Sequence, residues 1–160
     1  MLVGGVVALG LTLVHAMAGL HALNGRFVIV LWHKREQALL LMTDRYGFAN
    51  LYYTTNAGQV FFASEYKAFI WHRDVSRRID EEGIADFMTL GYCAADRTLF
   101  SEVKLVPPGT IITFAEDKQP SHERYWDYSF YSEEDPVWTE EDYVDQFYGK
   151  LKVAVQRQCK

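Results

Sequence analysis

The side chains best suited to nucleophilic or metal chemistry in this sequence are two cysteines and five histidines. Cys93 is followed closely by Asp96 and Arg97, which leaves two interpretations, a reactive thiol or a half-buried structural cysteine. No histidine stands at a spacing that would activate this thiol, so the structural interpretation is favoured, and Cys159 is incidental. The histidines also lack metal-ligand spacing to Cys, Asp or Glu, so no metal site is predicted. They are His15, His21, His33, His72 and His122.

The composition limits the kinds of partner and compartment. A net charge of −5 and a pI near 5.5 argue against nucleic-acid binding, which normally needs a basic face. The two cysteines are far apart in sequence and give no disulfide framework, which favours a reducing, cytoplasmic location. Apolar residues make up 49% of the chain, enough for one domain with a substantial core.

Residues 2–23 contain no Lys, Arg, Asp or Glu and are long enough to span a bilayer. They also contain several glycines and two histidines, and no basic region precedes them. Val7, Leu11, Val14 and Ala18 recur at helical spacing. We therefore expect a buried helix, with a membrane tether as the alternative.

Residues 24–65 contain four short apolar runs separated by tight polar turns. This pattern predicts four consecutive strands in an antiparallel meander. A short helix should follow, with Ser64 as its N-cap. The runs are 27–32, 38–42, 51–54 and 60–63.

Downstream, capping and periodicity predict two helices and one strand. Asp80 should cap a helix over 81–90 that Gly91 ends, and 110–114 should form a strand. Six of the residues from 132 to 142 are acidic, which indicates a solvated linker. Thr139 and Asp142 form a capping-box pattern before a helix that reaches about Arg157.

Several short motifs, in order, resemble the glutamine-hydrolysing asparagine synthetases, a family of class II (N-terminal nucleophile) amidotransferases. The motifs are Leu23-Asn24-Gly25-x-Phe27, Asp44-Arg45-x-Gly47, Leu51-Tyr52-Tyr53, Phe62-Ala63-Ser64-Glu65-x-Lys67-Ala68, Gly91-Tyr92, Thr98-Leu99-Phe100, Val103-Lys104, Pro107-Pro108-Gly109 and Arg124-Tyr125-Trp126-Asp127.

The resemblance implies an α+β fold, part of an αββα sandwich in which a second sheet belongs largely to a missing N-terminal half. Residues 1–127 would be the later part of a glutaminase domain. Residues 128–138 would be an acidic linker, and 139–160 would be the first helix of a truncated ATP-using synthetase domain. Expressed alone, such a chain should expose an apolar sheet face and associate.

The resemblance also defines the chemistry that we expect this chain to lack. The family hydrolyses glutamine with an N-terminal cysteine whose free amine is the base, whereas this sequence begins Met1-Leu2. The family's glutamine-binding aspartate would fall near Gly4, where no carboxylate stands. The family's Ser-Gly-Gly-Leu-Asp-Ser pyrophosphate loop would follow Lys160. We therefore expect no catalytic and no substrate-binding residue here, and ATP and Mg²⁺ only in a parent enzyme.

Three residues are candidates for a domain interface or an ammonia tunnel. Ser64 and Glu65 lie, by resemblance, toward the junction of the glutaminase and synthetase domains, although capping and a surface carboxylate would explain them equally. Arg26 replaces a usually apolar residue near the glutaminase end of the tunnel. The expected partners are the missing glutaminase half and the synthetase domain, with a homo-oligomer possible and neither nucleic acid nor membrane expected.

The parent activity would be ATP-dependent transfer of glutamine-derived ammonia to aspartate. Two alternatives stay open at this point. One is a non-catalytic, degenerate module that pairs with a synthetase domain or with a second copy. The other is a relative that makes a different amide, as β-lactam synthetases do.

Overall fold

The computed structural model describes residues 19–116, 118–130 and 138–159. The chain divides into two compact units, Met1–Asp127 and Tyr128–Lys160. The expected buried helix within residues 2–23 lies outside the described residues except at its end. Residues 19–22 are helical, and the side chain of Leu20 is buried in the core.

The first unit contains two antiparallel sheets. The four-stranded sheet A has the order β1-β2-β6-β7, and the three-stranded sheet B has the order β4-β3-β5. The strands are β1 (Val28–His33), β2 (Ala38–Thr43), β3 (Tyr52–Asn56), β4 (Gln59–Ala63), β5 (Lys104–Leu105), β6 (Thr110–Ala115) and β7 (Ser121–Arg124). The predicted combination of antiparallel sheet and helix is confirmed.

The predicted meander of four consecutive strands is wrong. β1 and β2 form one hairpin in sheet A, whereas β3 and β4 form another in sheet B. The free side of β2 is taken by β6, with Leu41 opposite Ile112, so β3 cannot pair there. The chain itself therefore builds two sheets, and the expectation of one sheet within this chain is corrected.

Three hydrophobic clusters show how the layers stack. Alternate residues of β2 and β6 point to opposite faces of sheet A. Leu41 and Ile112 pack with Tyr53 and Val106 of the sheet B side, which joins the two sheets face to face. The opposite face of sheet A packs against Leu20. The outer face of sheet B is covered by Phe69, Val75 and Val103.

The helix predicted after β4 is a 3₁₀ helix, Tyr66–Trp71. Its N-cap is Glu65 rather than the predicted Ser64, and no side chain caps it. The next helix, α1 (Glu81–Leu90), confirms the prediction at both ends. The Asp80 carboxylate accepts a hydrogen bond from the Gly83 N–H, and Gly91 is left-handed with φ 81°.

The second unit contains α2 (Glu140–Gln158), which begins with the predicted reciprocal capping box of Thr139 and Asp142. The acidic stretch before it falls largely on residues 131–137, outside the described residues. No helix within the described ranges is long and apolar enough to cross a membrane.

Exposed apolar side chains are concentrated on the helices rather than on a sheet face. On α1, Met88 is 79% exposed and Phe87 49%. On α2, the predicted apolar stripe is exposed along its length, with Phe147 at 68%. The predicted apolar surface is therefore present, but its location differs from the expected sheet face.

Candidate functional site

The chain passes between the two sheets twice, and both crossings lie at the same end of the sheet pair. The first crossing, residues 44–51, runs from β2 to β3, and the second, residues 106–109, runs from β5 to β6. The Gly109 N–H donates to the Asp44 carbonyl at 2.9 Å, which joins the two crossings. These two segments, together with residues 125–127, are called the crossing end below.

The Asp44 carboxylate is the centre of the crossing end. It is 1% exposed and accepts backbone N–H donors from Tyr46, Phe48 and Ala49, each at 3.1 Å, and from Phe27 at 3.4 Å. A buried carboxylate is stable only with such partners. The carboxylate therefore fixes the turn that carries the chain out of sheet A.

Arg45 bonds away from the neighbouring Asp44 carboxylate. Its Nη2 donates to the His21 carbonyl at 2.7 Å, at the end of the helical residues 19–22. A cation at a helix C-terminus is favourable because the last carbonyls carry partial negative charge. Its Nε is buried and has no hydrogen-bond partner among the described residues. Asp44 and Arg45 thus hold different segments.

Two glycines allow the crossings to approach each other. Gly47 has φ 65°, and a Cβ there would lie 2.9 Å from Pro108 Cγ. Gly109 has φ 58°, and a Cβ there would lie 2.6 Å from the Trp126 carbonyl oxygen. Both positions require a residue without a side chain.

Tyr125 attaches the end of β7, the last strand, to the crossing end. Its hydroxyl donates to the buried Thr43 carbonyl at 2.7 Å, and its N–H donates to the Gly109 carbonyl at 2.8 Å. Burial, and secondly the Asp44 charge, raise the pKa of the Tyr125 hydroxyl, while Arg45 opposes this. The hydroxyl stays neutral and acts as a hydrogen-bond donor in the fold.

The opposite end, formed by the turns 34–37, 57–58 and 116–120, is called the hairpin end. It opens into a cleft of about 870 Å³ with residues of both sheets in its wall. The apolar part of the wall comes from Trp32, Leu39, Val60 and Phe114, and Gln37 and Gln59 are among its polar residues. This wall can hold an apolar group but does not bring together a nucleophile and a base.

The thiol of Cys93 has the geometry of a structural cysteine. Its Sγ donates to the Gly83 carbonyl at 3.4 Å, and the side chain is half-buried. Burial first, then the Asp86 and Asp80 carboxylates, raise the pKa of this thiol, so it stays protonated at neutral pH. Cys159 is exposed at the end of α2. In the described part of the chain, no group of three or more His, Cys, Asp or Glu residues could hold a metal.

The three predicted interface or tunnel residues, Arg26, Ser64 and Glu65, are all exposed. Arg26 precedes β1, and Ser64 and Glu65 follow β4 where Ala63 pairs with Tyr52. The register places all three toward the crossing end, but among the described residues no hydrogen bond or ion pair joins Arg26 to the other two. Glu65 forms an exposed ion pair with Lys67 at 2.6 Å. Their interface role stays a prediction.

Sequence reasoning missed the role of Asp44, although a signal was available. Aspartate followed by a turn often accepts N–H groups from its own next residues, and Asp44 accepts from Tyr46 two residues on. The contact between Gly47 and Pro108 had no local signal, because sixty-odd residues separate its two partners in the sequence.

Comparison with known proteins identifies relatives of this chain. The glutamine amidotransferase domain family matches residues 7–126. Asparagine synthetase [glutamine-hydrolyzing] 1 of Bacillus subtilis (strain 168) is 35% identical over 140 residues, covering 84% of this chain and 21% of that protein. Asparagine synthetase [glutamine-hydrolyzing] 3 of the same organism is 31% identical over 105 residues, covering 65% of this chain and 17% of that protein.

A third relative is an amidase by name. Amidase chyE of Penicillium rubens is 31% identical over 119 residues, covering 68% of this chain and 16% of that protein. The chain spans about a fifth or less of the length of these relatives.

Proposed function

Because the chain belongs to the glutamine amidotransferase domain family, we propose that it supplies glutaminase-domain scaffold to an amide-forming enzyme of the asparagine synthetase type. The observation that carries the proposal is the convergence of three family motifs at the crossing end. Asp44 to Gly47, Pro107 to Gly109 and Tyr125 to Trp126 are separate in sequence but interlocked by hydrogen bonds and close contacts.

The layers support an αββα arrangement of the N-terminal-nucleophile type. Two antiparallel sheets pack face to face, Leu20 covers one outer face, and Phe69 covers the other. We propose that residues 1–127 are part of the glutaminase domain and 128–138 a linker. Residues 139–160 would then be the first helix of an ATP-using synthetase domain, whose remainder would cover the exposed apolar stripe of α2.

The proposed parent reaction is ATP-dependent transfer of ammonia from glutamine to aspartate, with ATP and Mg²⁺ bound by the synthetase domain. Aspartate as acceptor rests on the names of the asparagine synthetase relatives. We propose that this chain by itself carries neither catalytic centre. The Cys93 Sγ donates to the Gly83 carbonyl, as a structural thiol does. A cytoplasmic location agrees with its two free cysteines.

The absence of a catalytic centre is tested by incubating the purified 160-residue chain with glutamine and measuring glutamate release. We expect no release above the blank. Cys93→Ser and Cys159→Ser variants are the matched controls. Ammonia release that disappears on alkylation or in either variant would contradict the proposal and identify the responsible thiol.

The scaffold role is tested with a chimera in which residues 7–126 replace the matching segment of asparagine synthetase 1 of Bacillus subtilis. We expect glutamine-dependent asparagine formation in a version that also keeps that protein's own preceding residues. The same chimera with Asp44→Ala should lose glutamine-dependent asparagine formation. Ammonia-dependent synthesis is the control for an intact synthetase domain. A chimera with ammonia-dependent but no glutamine-dependent synthesis would overturn the scaffold role.

A further inference from the structure

The segment 23–27, which joins the helical residues 19–22 to β1, contains an asparagine followed by a glycine. Asn24 and Gly25 are both exposed. Among the described residues, neither the Asn24 side chain nor the Gly25 N–H takes part in a hydrogen bond. A carboxamide and the backbone nitrogen that follows it therefore lie together at the surface.

Gly25 makes this backbone nitrogen accessible. Its φ is 121°, a conformation that residues with a Cβ rarely adopt, and the chain bends at this position. A glycine also has no side chain that would shield its own N–H from the preceding residue. The carboxamide carbon of Asn24 can therefore approach this nitrogen more closely than it could approach the nitrogen of a larger residue.

The reaction available to this pair is deamidation through a cyclic imide. The Gly25 nitrogen forms a bond to Asn24 Cγ, the Cγ–Nδ2 bond breaks, and Nδ2 leaves as ammonia with the proton of the Gly25 N–H. Water then opens the imide. Cleavage of the new bond gives aspartate, and cleavage of the original peptide bond gives isoaspartate, in which the main chain runs through Cβ and Cγ. In total, one water is consumed and one ammonia is released.

The other two asparagines of the sequence, Asn50 and Asn56, are less suited to this reaction. The Asn56 Nδ2 donates a hydrogen bond to the Asp74 carbonyl, which holds the carboxamide in place. Asn50 precedes Leu51, which is only 3% exposed and whose branched side chain hinders approach to its backbone nitrogen. Asn24 is therefore the asparagine that sequence and structure together leave most reactive.

Both ends of the segment that contains Asn24 are anchored to the same turn. Arg45 Nη2 donates to the His21 carbonyl at 2.7 Å. The Phe27 N–H donates to the Asp44 carboxylate at 3.4 Å, and the Asp44 N–H donates to the Phe27 carbonyl at 3.1 Å. Isoaspartate would lengthen the main chain between these anchors by one methylene, whereas aspartate would leave its length unchanged. The longer segment cannot keep the same path between two fixed ends.

We propose that Asn24 is a site of spontaneous deamidation and isomerisation in the folded chain, and that isoaspartate at this position loosens the hydrogen bonds between Phe27 and Asp44. The modification requires water and no other reactant. It introduces a negative charge and a lengthened backbone immediately before β1. This site does not depend on the proposed function.

The test ages the full 160-residue chain in mildly alkaline buffer, folded and in guanidinium chloride. Peptide mass spectrometry with fragmentation that separates isoaspartate from aspartate follows each asparagine. In the folded chain we expect Asn24 to convert at least about tenfold faster than Asn50 or Asn56. Unfolding should change the Asn24 rate by less than about threefold, whereas Asn56, released from Asp74, should convert several-fold faster.

Two variants separate the reaction and its consequence. Asn24→Gln keeps a carboxamide but would have to form a larger ring, so it should not convert over the same period. Freshly purified Asn24→Asp has the new charge without the lengthened backbone. We expect amide hydrogen exchange at Phe27 and Asp44 to be at least about threefold faster in the isoaspartyl chain than in the fresh chain, and unchanged in Asn24→Asp.

Four results would overturn the proposal. Conversion of Asn24 only in guanidinium chloride would show that the folded chain protects it. Equal conversion of Asn56 in the folded chain would remove the selectivity. Unchanged exchange at Phe27 and Asp44 in the isoaspartyl chain would disprove the structural consequence, and equally fast exchange in Asn24→Asp would assign that consequence to charge instead of backbone length.

Discussion

At the crossing end of the sheet pair, a buried carboxylate fixes the first crossing. A backbone hydrogen bond, the close approach at two glycines and a tyrosine hydroxyl hold the neighbouring segments together. At the hairpin end, tight turns connect neighbouring strands, and the two sheets separate around an open cleft. The same strands run between both ends. The comparison shows that long-range hydrogen bonding is concentrated at one end, while the other depends on local turn geometry.

The largest expected difference between the ends comes from Asp44→Ala. The substitution leaves one buried and two part-buried N–H donors without their acceptor. A buried donor without a partner costs about 1–3 kcal/mol, so we expect a loss of about 3 kcal/mol in total. Chemical denaturation followed by circular dichroism measures it. Glu116→Ala, an exposed carboxylate at the hairpin end, is the matched control and should change stability by less than about 0.5 kcal/mol. Equal losses in both variants would remove the distinction between the ends.

A pair of glycine substitutions separates backbone conformation from close approach. Gly109→Ala and Gly58→Ala both place a side chain at positive φ, which costs about 1 kcal/mol. Only Gly109 also faces a close contact, the Trp126 carbonyl, while Gly58 faces open space. We expect Gly109→Ala to lose at least about 2 kcal/mol of stability, more than Gly58→Ala, because the backbone near Trp126 must move. The difference between the urea-denaturation midpoints of the two variants measures the additional cost of the close contact at position 109.

Tyr125→Phe should give a smaller loss, about 1–2 kcal/mol, since it removes one buried hydrogen bond to the Thr43 carbonyl. Because the folded-state pKa of Tyr125 is raised, the hydroxyl's contribution is complete below the ordinary tyrosine pKa. It is lost as the pH rises through the raised value. As the pH rises above about 10, the free energy of unfolding should therefore fall less for Tyr125→Phe than for the parent chain. Tyr92→Phe, at an exposed tyrosine, is the control and should leave the stability unchanged.

The smallest effect should be a gain, at the hairpin end. Ala57 has φ 47° in the turn between β3 and β4, a conformation that glycine adopts without strain. Ala57→Gly should stabilise the chain by about 0.5 kcal/mol. The same substitution at exposed Ala85 in α1 should instead cost about 1 kcal/mol. A loss at Ala57 comparable to that at Ala85 would show that the turn is not strained.

The features that sequence predicted well are those decided by neighbouring residues. The Asp80 cap, the Gly91 stop and the reciprocal bonds of Thr139 and Asp142 each need only a few residues in a row. The apolar runs also indicated the strands of both hairpins, because burial imposes their composition. β7 was missed because all four of its residues are exposed, so no hydrophobic alternation marks it.

Assignment of strands to sheets could not be read from the same patterns. β2 looks equally able to pair with β3 or with a later strand, and the choice of β6 depends on contacts such as Leu41 with Ile112. The candidate site has the same limit. Asp44 stood in a family motif, but its role as a hydrogen-bond acceptor is seen only in the folded turn around it.

The join between Asp44 and Gly109 closes a loop in the chain, and everything from Phe48 to Val106 lies within that loop. The loop contains sheet B, the 3₁₀ helix and α1. If the join opens, this whole stretch can detach as one cooperative subunit of unfolding, while the hairpin of β1 and β2 keeps its own ladder. A backbone hydrogen bond beside one buried carboxylate thereby bears on whether more than a third of the polypeptide melts together or in pieces.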